Sequence, residues 1–332
     1  MARVRRADVR AERAELVSVL IREVEDWVDE SRFDWLYLDN PVGEARCWVL
    51  DDGGEIVGIS TAFPRQFRAA GRDVKAWVLG DFCVSRRLRS LGPAMQLQRA
   101  AFDAVNEGEV DVWYDFPNEP MLAVYRRMGT APTRELVRMV YLLKADGLAS
   151  RHLGDGVVAK ALGFAGNVLL STRSAFSRRD PSMTLSRSNN ELDAAGEPGF
   201  MLEDGVWLRR TSDYVNWRYR DFPGEPPSIL TASGGGSIVF CQVGDSIEIV
   251  DLFGVPDERT LKQLLLAVVD EARKRAASGL TFALSSDHPW IGFVRELGFR
   301  DRDTKPFVVF SGDSDLGRSM RWFLVGGDRD LW

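Results

Sequence analysis

Apolar and polar positions along this chain change period wherever glycine, proline, asparagine or aspartate interrupts the pattern. Short apolar or alternating runs near 45–50, 55–62, 74–84 and 110–115 predict strands. Runs with apolar positions on one helical face predict helices near 11–28, 92–106 and 119–128. The rest of the chain repeats the theme, with strands predicted near 228–232, 237–242, 246–252 and 280–284 and helices near 257–276 and 288–297. Between the two parts, 146–195 has low strand propensity and becomes rich in Ser, Arg, Asn and Gly toward its end, which predicts a helical connector followed by a loose segment.

The likeness of the two parts extends to residue identity. Segments SRFDWLYLDNP (31–41) and DYVNWRYRDFP (213–223) share W-x-Y-x-D-x-P, so that Trp35, Tyr37, Asp39 and Pro41 fall on Trp217, Tyr219, Asp221 and Pro223 at an offset of 182. Ile56-Val57 and Ile238-Val239 follow at the same spacing, each after a Gly-rich turn. MLAVYRRMGT (121–130) resembles WIGFVRELGF (290–299), with Arg126 and Gly129 matching Arg295 and Gly298 at an offset of 169. These repeats predict one α+β fold with a mixed sheet, used twice: a first unit over 1–145, the connector 146–195 and a second unit over 196–332. Because W-x-Y-x-D-x-P occurs in both units, it reads as a device that fixes an early helix-to-strand connection.

A length of 332 residues lets each unit bury its own core. Net charge −6 gives no overall basis for binding nucleic acid. Cys47, Cys83 and Cys241 each sit in an apolar run, too scattered for a disulfide framework or a zinc site, and read as buried thiols of a reducing compartment. The charged N-terminus lacks the apolar core of a secretory signal. The run Val157 to Leu170, broken by Lys160 and Asn167, is shorter than the roughly 20 residues of a membrane span. The expectation is a cytoplasmic protein without a membrane span. Only His152 and His288 are present, which removes most metal and hydrolase chemistries; both read as solvated or structural, and no metal site is expected.

Chemistry concentrates in RRLRSLGPAMQLQRAAFDAV (86–105), where three arginines, a glycine and a proline precede a helix. A helix N-terminus ordinarily favours acidic residues, so clustered arginines there predict an incoming anion. Free amides at the helix start, close approach past Gly92, and Arg86, Arg87 and Arg89 would together hold a pyrophosphate. A turn with solvated arginines and a proline in the first helical turn is the other reading.

Arg89-x-x-Gly92-x-Ala94 after a strand resembles the (Q/R)-x-x-G-x-(G/A) motif of the GCN5-related N-acetyltransferase (GNAT) superfamily, and Asn118, Tyr125 and Gly129 resemble its N…Y…G segment. The matching segments span roughly 45–143 and, with the repeat, make the chain resemble a tandem GNAT protein. The resemblance implies acetyl-coenzyme A, or another acyl-coenzyme A, bound by Arg89, Ser90, Leu91, Gly92, Pro93, Ala94 and Asn118, with main-chain groups near Cys83 and Val84 orienting the pantetheine arm. It implies direct attack by the amine of a small-molecule acceptor and Tyr125 as general acid toward the leaving thiolate, although Tyr125 also reads as a core aromatic. Asp81, on the strand leading to the cradle, is the candidate base or a structural residue; Cys83 has no nearby histidine and reads as packing.

Pro93 removes one amide from the cradle, and Thr130 stands where the family has an aromatic residue. The second unit places Pro256, Asp257 and Glu258 at the corresponding helix start and Val294 at the tyrosine position, which predicts a non-catalytic copy that shapes the acceptor site. Aminoacyl transfer of the Fem type and a non-catalytic coenzyme A-binding scaffold are the alternatives. The tail FLVGGDRDLW ends in Leu331-Trp332, placed for docking on the body or on a partner.

Overall fold

The computed structural model describes residues 2–24, 28–88, 90–144, 183–187, 204–313 and 315–330. Arg89, His152, Leu331, Trp332 and all of the predicted connector except 183–187 lie outside the described residues.

The first half runs β1 (Arg3–Arg6), α1 (Arg13–Glu23), α2 (Glu30–Phe33), β2 (Arg46–Asp52), β3 (Glu55–Ala69), β4 (Arg72–Val84), α3 (Leu91–Asn106), β5 (Val112–Asp115), α4 (Glu119–Arg127) and β6 (Arg134–Leu142). The second contains β7 (Leu185–Arg187), β8 (Gly205–Leu208), α5 (Ser212–Val215), β9 (Ser228–Ala232), β10 (Ser237–Val243), β11 (Ser246–Phe253), α6 (Glu258–Lys274), β12 (Gly279–Ser285), α7 (Ile291–Glu296), β13 (Arg300–Ser311) and β14 (Arg321–Trp322). In both, a short helix, a π-helical turn and three antiparallel strands lead to a long helix, a parallel strand, a short helix and a last strand. The fold is α+β on a mixed sheet, as the patterning predicts.

Each long helix buries one stripe. In α3 it is Leu97, Ala101, Phe102 and Val105; in α6 it is Leu261, Leu264, Leu265, Val268 and Ala272. The β3–β4 hairpin is longer than its apolar pattern implies, because Ala70 and Gly71, both at positive φ, close a tight turn beyond it.

Strand order is β1-β2-β3-β4-β5-β13-β6-β12-β11-β10-β9-β7. The last strands of the two halves therefore change places. β6 pairs with β12 over Leu136–Leu142, and β13 pairs with β5 over Val308–Ser311, while β6 and β13 pair with each other between them. Neither β6 nor β13 is foreseen from patterning. The first half of β13, RDRDTK, is charged and largely exposed, and its place as a strand depends on the ladder with β6.

The two W-x-Y-x-D-x-P segments meet through reciprocal contacts. Each forms a five-residue π-helical turn, Asp34–Leu38 and Asn216–Arg220, closed by Asp39 N–H to Asp34 O and Asp221 N–H to Asn216 O. Trp35 Nε1 donates to Trp217 O and Trp217 Nε1 to Trp35 O, both at 2.8 Å, with the indoles stacked at 5.0 Å. Both indoles are buried in a core that draws on both halves. Trp35→Ala removes that stack and one of the reciprocal bonds; the expected loss is about 3–5 kcal/mol of unfolding free energy, measurable by urea denaturation.

Candidate functional site

β4 pairs with β5 only over Ala76–Val78 against Val112–Tyr114; from Leu79 on, β4 is paired with β3 on its other edge. The strands thus part beside Cys83 and Val84, both buried. A bulge at Ile59/Thr61 opposes Gly80–Cys83, and Asp81 there adopts φ 44°. Burial pushes the Cys83 thiol up to about 12, which leaves it a packing residue and no nucleophile.

After β4, Arg86–Leu88 forms a single 3₁₀ turn and α3 begins. Ser90 occupies its N-cap position without a side-chain capping bond, and the first backbone bond, Ala94 N–H to Ser90 O, is 3.5 Å long. The amides of Leu91 and Gly92 find no acceptor among the described residues, and a Cβ built on Gly92 would meet nothing within 4 Å. Pro93, in the same first turn, loses no helical bond. Arg87 reaches Glu55 at 2.7 Å on the surface. In the second half the equivalent end is closed: Asp257 caps α6 by accepting from Thr260 N–H at 2.7 Å, and that bond holds its carboxyl below the usual range.

Asn118 caps α4 by accepting from Met121 N–H at 3.1 Å. Tyr125, fully buried on that helix, donates to Asp115 Oδ2 at 2.5 Å and accepts from Gln98 Nε2 at 3.2 Å. Burial pushes the Asp115 carboxyl up to about 7, the Tyr125 hydroxyl opposing, and drives the phenol well above its ordinary value. Asp115 and Gln98 escape sequence reasoning, since they come from the end of β5 and the buried face of α3. The Y-D-F-P-N stretch following an apolar strand was the available signal.

Asp81 has another duty. Arg32 grips it with Nη1 and Nη2 at 2.9 and 2.6 Å, and Tyr37 donates to it at 2.8 Å, all three side chains being buried. With both oxygens engaged by three donors, Asp81 locks a π-helical turn to β4, a structural duty that accounts for its burial without a role as base. The second half repeats the arrangement: Tyr219 donates to Asp251, which Arg210 grips at 2.8–3.0 Å while also binding Asp328 at 2.7 Å. His288 lies near, its Nδ1 accepting from Trp290 N–H at 3.2 Å; burial and then Arg210 lower its pKa to about 3, so it is a neutral structural histidine.

The tail joins the two halves. β11 and β12 pair only over Ser246–Ile249 and Gly279–Phe282, and beyond that point Leu324 and Val325 bond to Ser285 and Leu284, with Gly326–Asp328 packed on β11. Gly327 is required there, because a Cβ would sit 2.9 Å from Val250 O and from the Tyr219 hydroxyl. The cleft of the second half is filled by the chain itself. Tyr114 then donates to Asp328 O at 2.7 Å, and Asp330 rests on Gly80, at the cleft of the first half, where any Cβ would collide with it. Arg218 holds this tail through the carbonyls of Gly327, Arg329 and Asp330.

Residues 13–133 match the family model described as an acetyltransferase (GNAT) domain. Over those residues, in its first half, the chain is thus matched by a GNAT acetyltransferase domain. Among solved structures, it is similar to a probable N-acyltransferase from Enterococcus faecalis V583 (TM-score 0.65, 12% identity, covering 94% of this chain and 72% of that one). It is also similar to a GCN5-related N-acetyltransferase from Kribbella flavida (0.58, 15%, 94% and 72%). Saccharomyces cerevisiae N-myristoyltransferase, solved with bound myristoyl-CoA, gives 0.55 at 13% identity over 93% and 83%. At these identities the likeness is one of fold. Comparison with curated protein sequences gives no match. No helix among the described residues is long and apolar enough to cross a membrane, and none of their His, Cys, Asp and Glu side chains group to hold a metal ion.

Proposed function

We propose that the first half is an acyl-coenzyme A-dependent N-acyltransferase, in the simplest case moving acetyl from acetyl-coenzyme A to the amine of a small molecule. The observation that carries this reading is the open N-terminus of α3, uncapped and following β4 at the place where β4 and β5 part. Free amides and the helix dipole there suit a pyrophosphate, and Gly92 leaves room for it. The coenzyme supplies the activated thioester; Leu91, Gly92 and Ala94 would hold its phosphates, and the unpaired edge of β4 near Cys83 and Val84 would orient its arm. Tyr125 is the proton donor to the leaving sulfur, and positioning of the amine against the thioester supplies most of the remaining rate enhancement.

The second half is a non-catalytic partner in this reading. Its helix start carries Asp257, its cleft holds the tail, and the buried Val294 stands where Tyr125 would be. Its contribution is to deliver Asp328–Asp330 to the first cleft and so shape the acceptor side.

Gly92→Glu tests the reading, because its side chain projects into open space and leaves the fold intact while placing a carboxylate at the phosphate position. Calorimetry should show wild type binding acetyl-coenzyme A at about one site per chain, weakened at least about tenfold in the variant. Equal binding by both proteins, or none by wild type, overturns the assignment of the cradle.

A further inference from the structure

A single hydrogen decides whether Tyr125 can act as an acid. Its oxygen lies 2.5 Å from Asp115 Oδ2, a separation at which one hydrogen must lie between them. Gln98 Nε2 already donates to the phenol oxygen from α3, so this neighbour takes no proton from it. When Asp115 is ionised, the hydrogen between the oxygens is the phenol's own, and Tyr125 has nothing left to donate elsewhere. When Asp115 is protonated, the carboxyl supplies the shared hydrogen and the phenol's O–H is free to turn toward a leaving group.

We propose that Asp115 is the proton-relay partner of Tyr125, a positioning residue whose protonated form makes the phenol a competent acid and whose ionised form disables it. The proposal rests on the N-acyltransferase reading. In the step, the amine nitrogen bonds to the thioester carbonyl carbon and the C–S bond breaks with its electron pair on sulfur. Sulfur takes the Tyr125 proton, the Tyr125 oxygen takes the Asp115 proton, and Asp115 is left as carboxylate. The proton lost by the amine passes to solvent, and solvent restores the proton on Asp115.

The surroundings raise the Asp115 carboxyl to about 7, so that both its protonated and its ionised forms are populated near neutrality. Asp115 is half-buried at the end of β5; the titratable groups facing it are Tyr125 on α4 and Asp330 on the tail, and Asp330, if ionised, opposes a second negative charge there. The Phe116 N–H is a lone opposing influence from the backbone. The tail delivered by the second half thereby helps to set the acid of the first.

Two readouts test this. In the first, thiol release from acetyl-coenzyme A is followed with hydroxylamine, an acceptor uncharged over the range. Wild-type kcat should fall about tenfold per pH unit above neutrality, and Asp115→Asn, which can donate to Tyr125 but cannot relay or titrate, should run slower with that limb gone. In the second, ring-carbon NMR of tyrosine-labelled wild type, with the Tyr125 signal assigned by its loss in Tyr125→Phe, should show that signal moving through a titration near neutrality as the hydrogen bond reverses. The second readout needs neither turnover nor a folded Asp115 variant. A wild-type Tyr125 signal that does not titrate near neutrality, or a pH limb that persists in Asp115→Asn, overturns the relay. Full turnover by Tyr125→Phe with the titration present in wild type instead overturns the acid role in the proposed function, leaving the pairing of the two side chains intact.

Discussion

Arg210→Ala is expected to lower unfolding free energy by about 3–5 kcal/mol, because it strips the cation from two fully buried carboxylates at once. Asp251 would keep only the Tyr219 hydroxyl and its own-neighbour amide, and Asp328 only the Val325 N–H among the contacts described. The pH dependence distinguishes this cause from lost packing. In the wild type Asp328 is raised to about 6, burial outweighing the pull of Arg210. A carboxyl raised above its unfolded value binds more protons in the folded state, so its contribution to stability falls as pH rises from about 4 through about 6. Without Arg210 the Asp328 carboxyl favours the proton more strongly, and the folded state should gain from acidification over a wider range. Urea denaturation should therefore show Arg210→Ala losing less stability at pH 5 than at pH 8; an equal loss at both would assign the effect to packing.

A fragment ending at residue 144 should not fold as a cooperative monomer, in spite of containing the whole family match and every proposed coenzyme contact. Its β6 would keep neither of its partners, β12 and β13, and β5 would lose the strand on its far side. Trp35 would lose both its stacking partner and the carbonyl that its indole N–H requires. The exposed strand edges and the opened aromatic core predict aggregation instead. Circular dichroism and sedimentation of the fragment check this, and co-expression with the remainder of the chain should restore a soluble complex if the exchanged strands are what is missing. A cooperatively folded, monomeric fragment would show that the exchange is dispensable.

Much of the fold can be read from local pattern. α3, α6 and α4 announce themselves by apolar stripes, and β2, β10 and β11 by short apolar runs, because burial of one face constrains residues close in sequence. The internal likeness is equally local: two tryptophans, two tyrosines and their spacing fix the π-helical turns in both halves, and Gly129 and Gly298, each following its short helix at positive φ, mark the same bend. The proposed cradle is legible in the same way, since its arginines, Gly92 and Pro93 lie on one continuous stretch of sequence.

What the chain's own order could not disclose depends on residues brought together from afar. Patterning placed Tyr125 on a helix face but left its hydroxyl without a partner; only packing of β5 against α3 and α4 sets Asp115 and Gln98 on that oxygen. Asp81 read as a candidate base because the arginine that claims it lies 49 residues earlier, in a different element. The exchange of β6 and β13 has no local signature, since hydrogen bonds between distant strands impose no pattern on a charged, half-exposed segment. By itself, then, the sequence determined the element types, the internal likeness of the two halves and the stretch proposed to bind phosphate. The tertiary structure decided which strands pair, which carboxylates are gripped, and that the tail closes one cleft and reaches the other, because those outcomes are set by long-range contacts and the desolvation they produce.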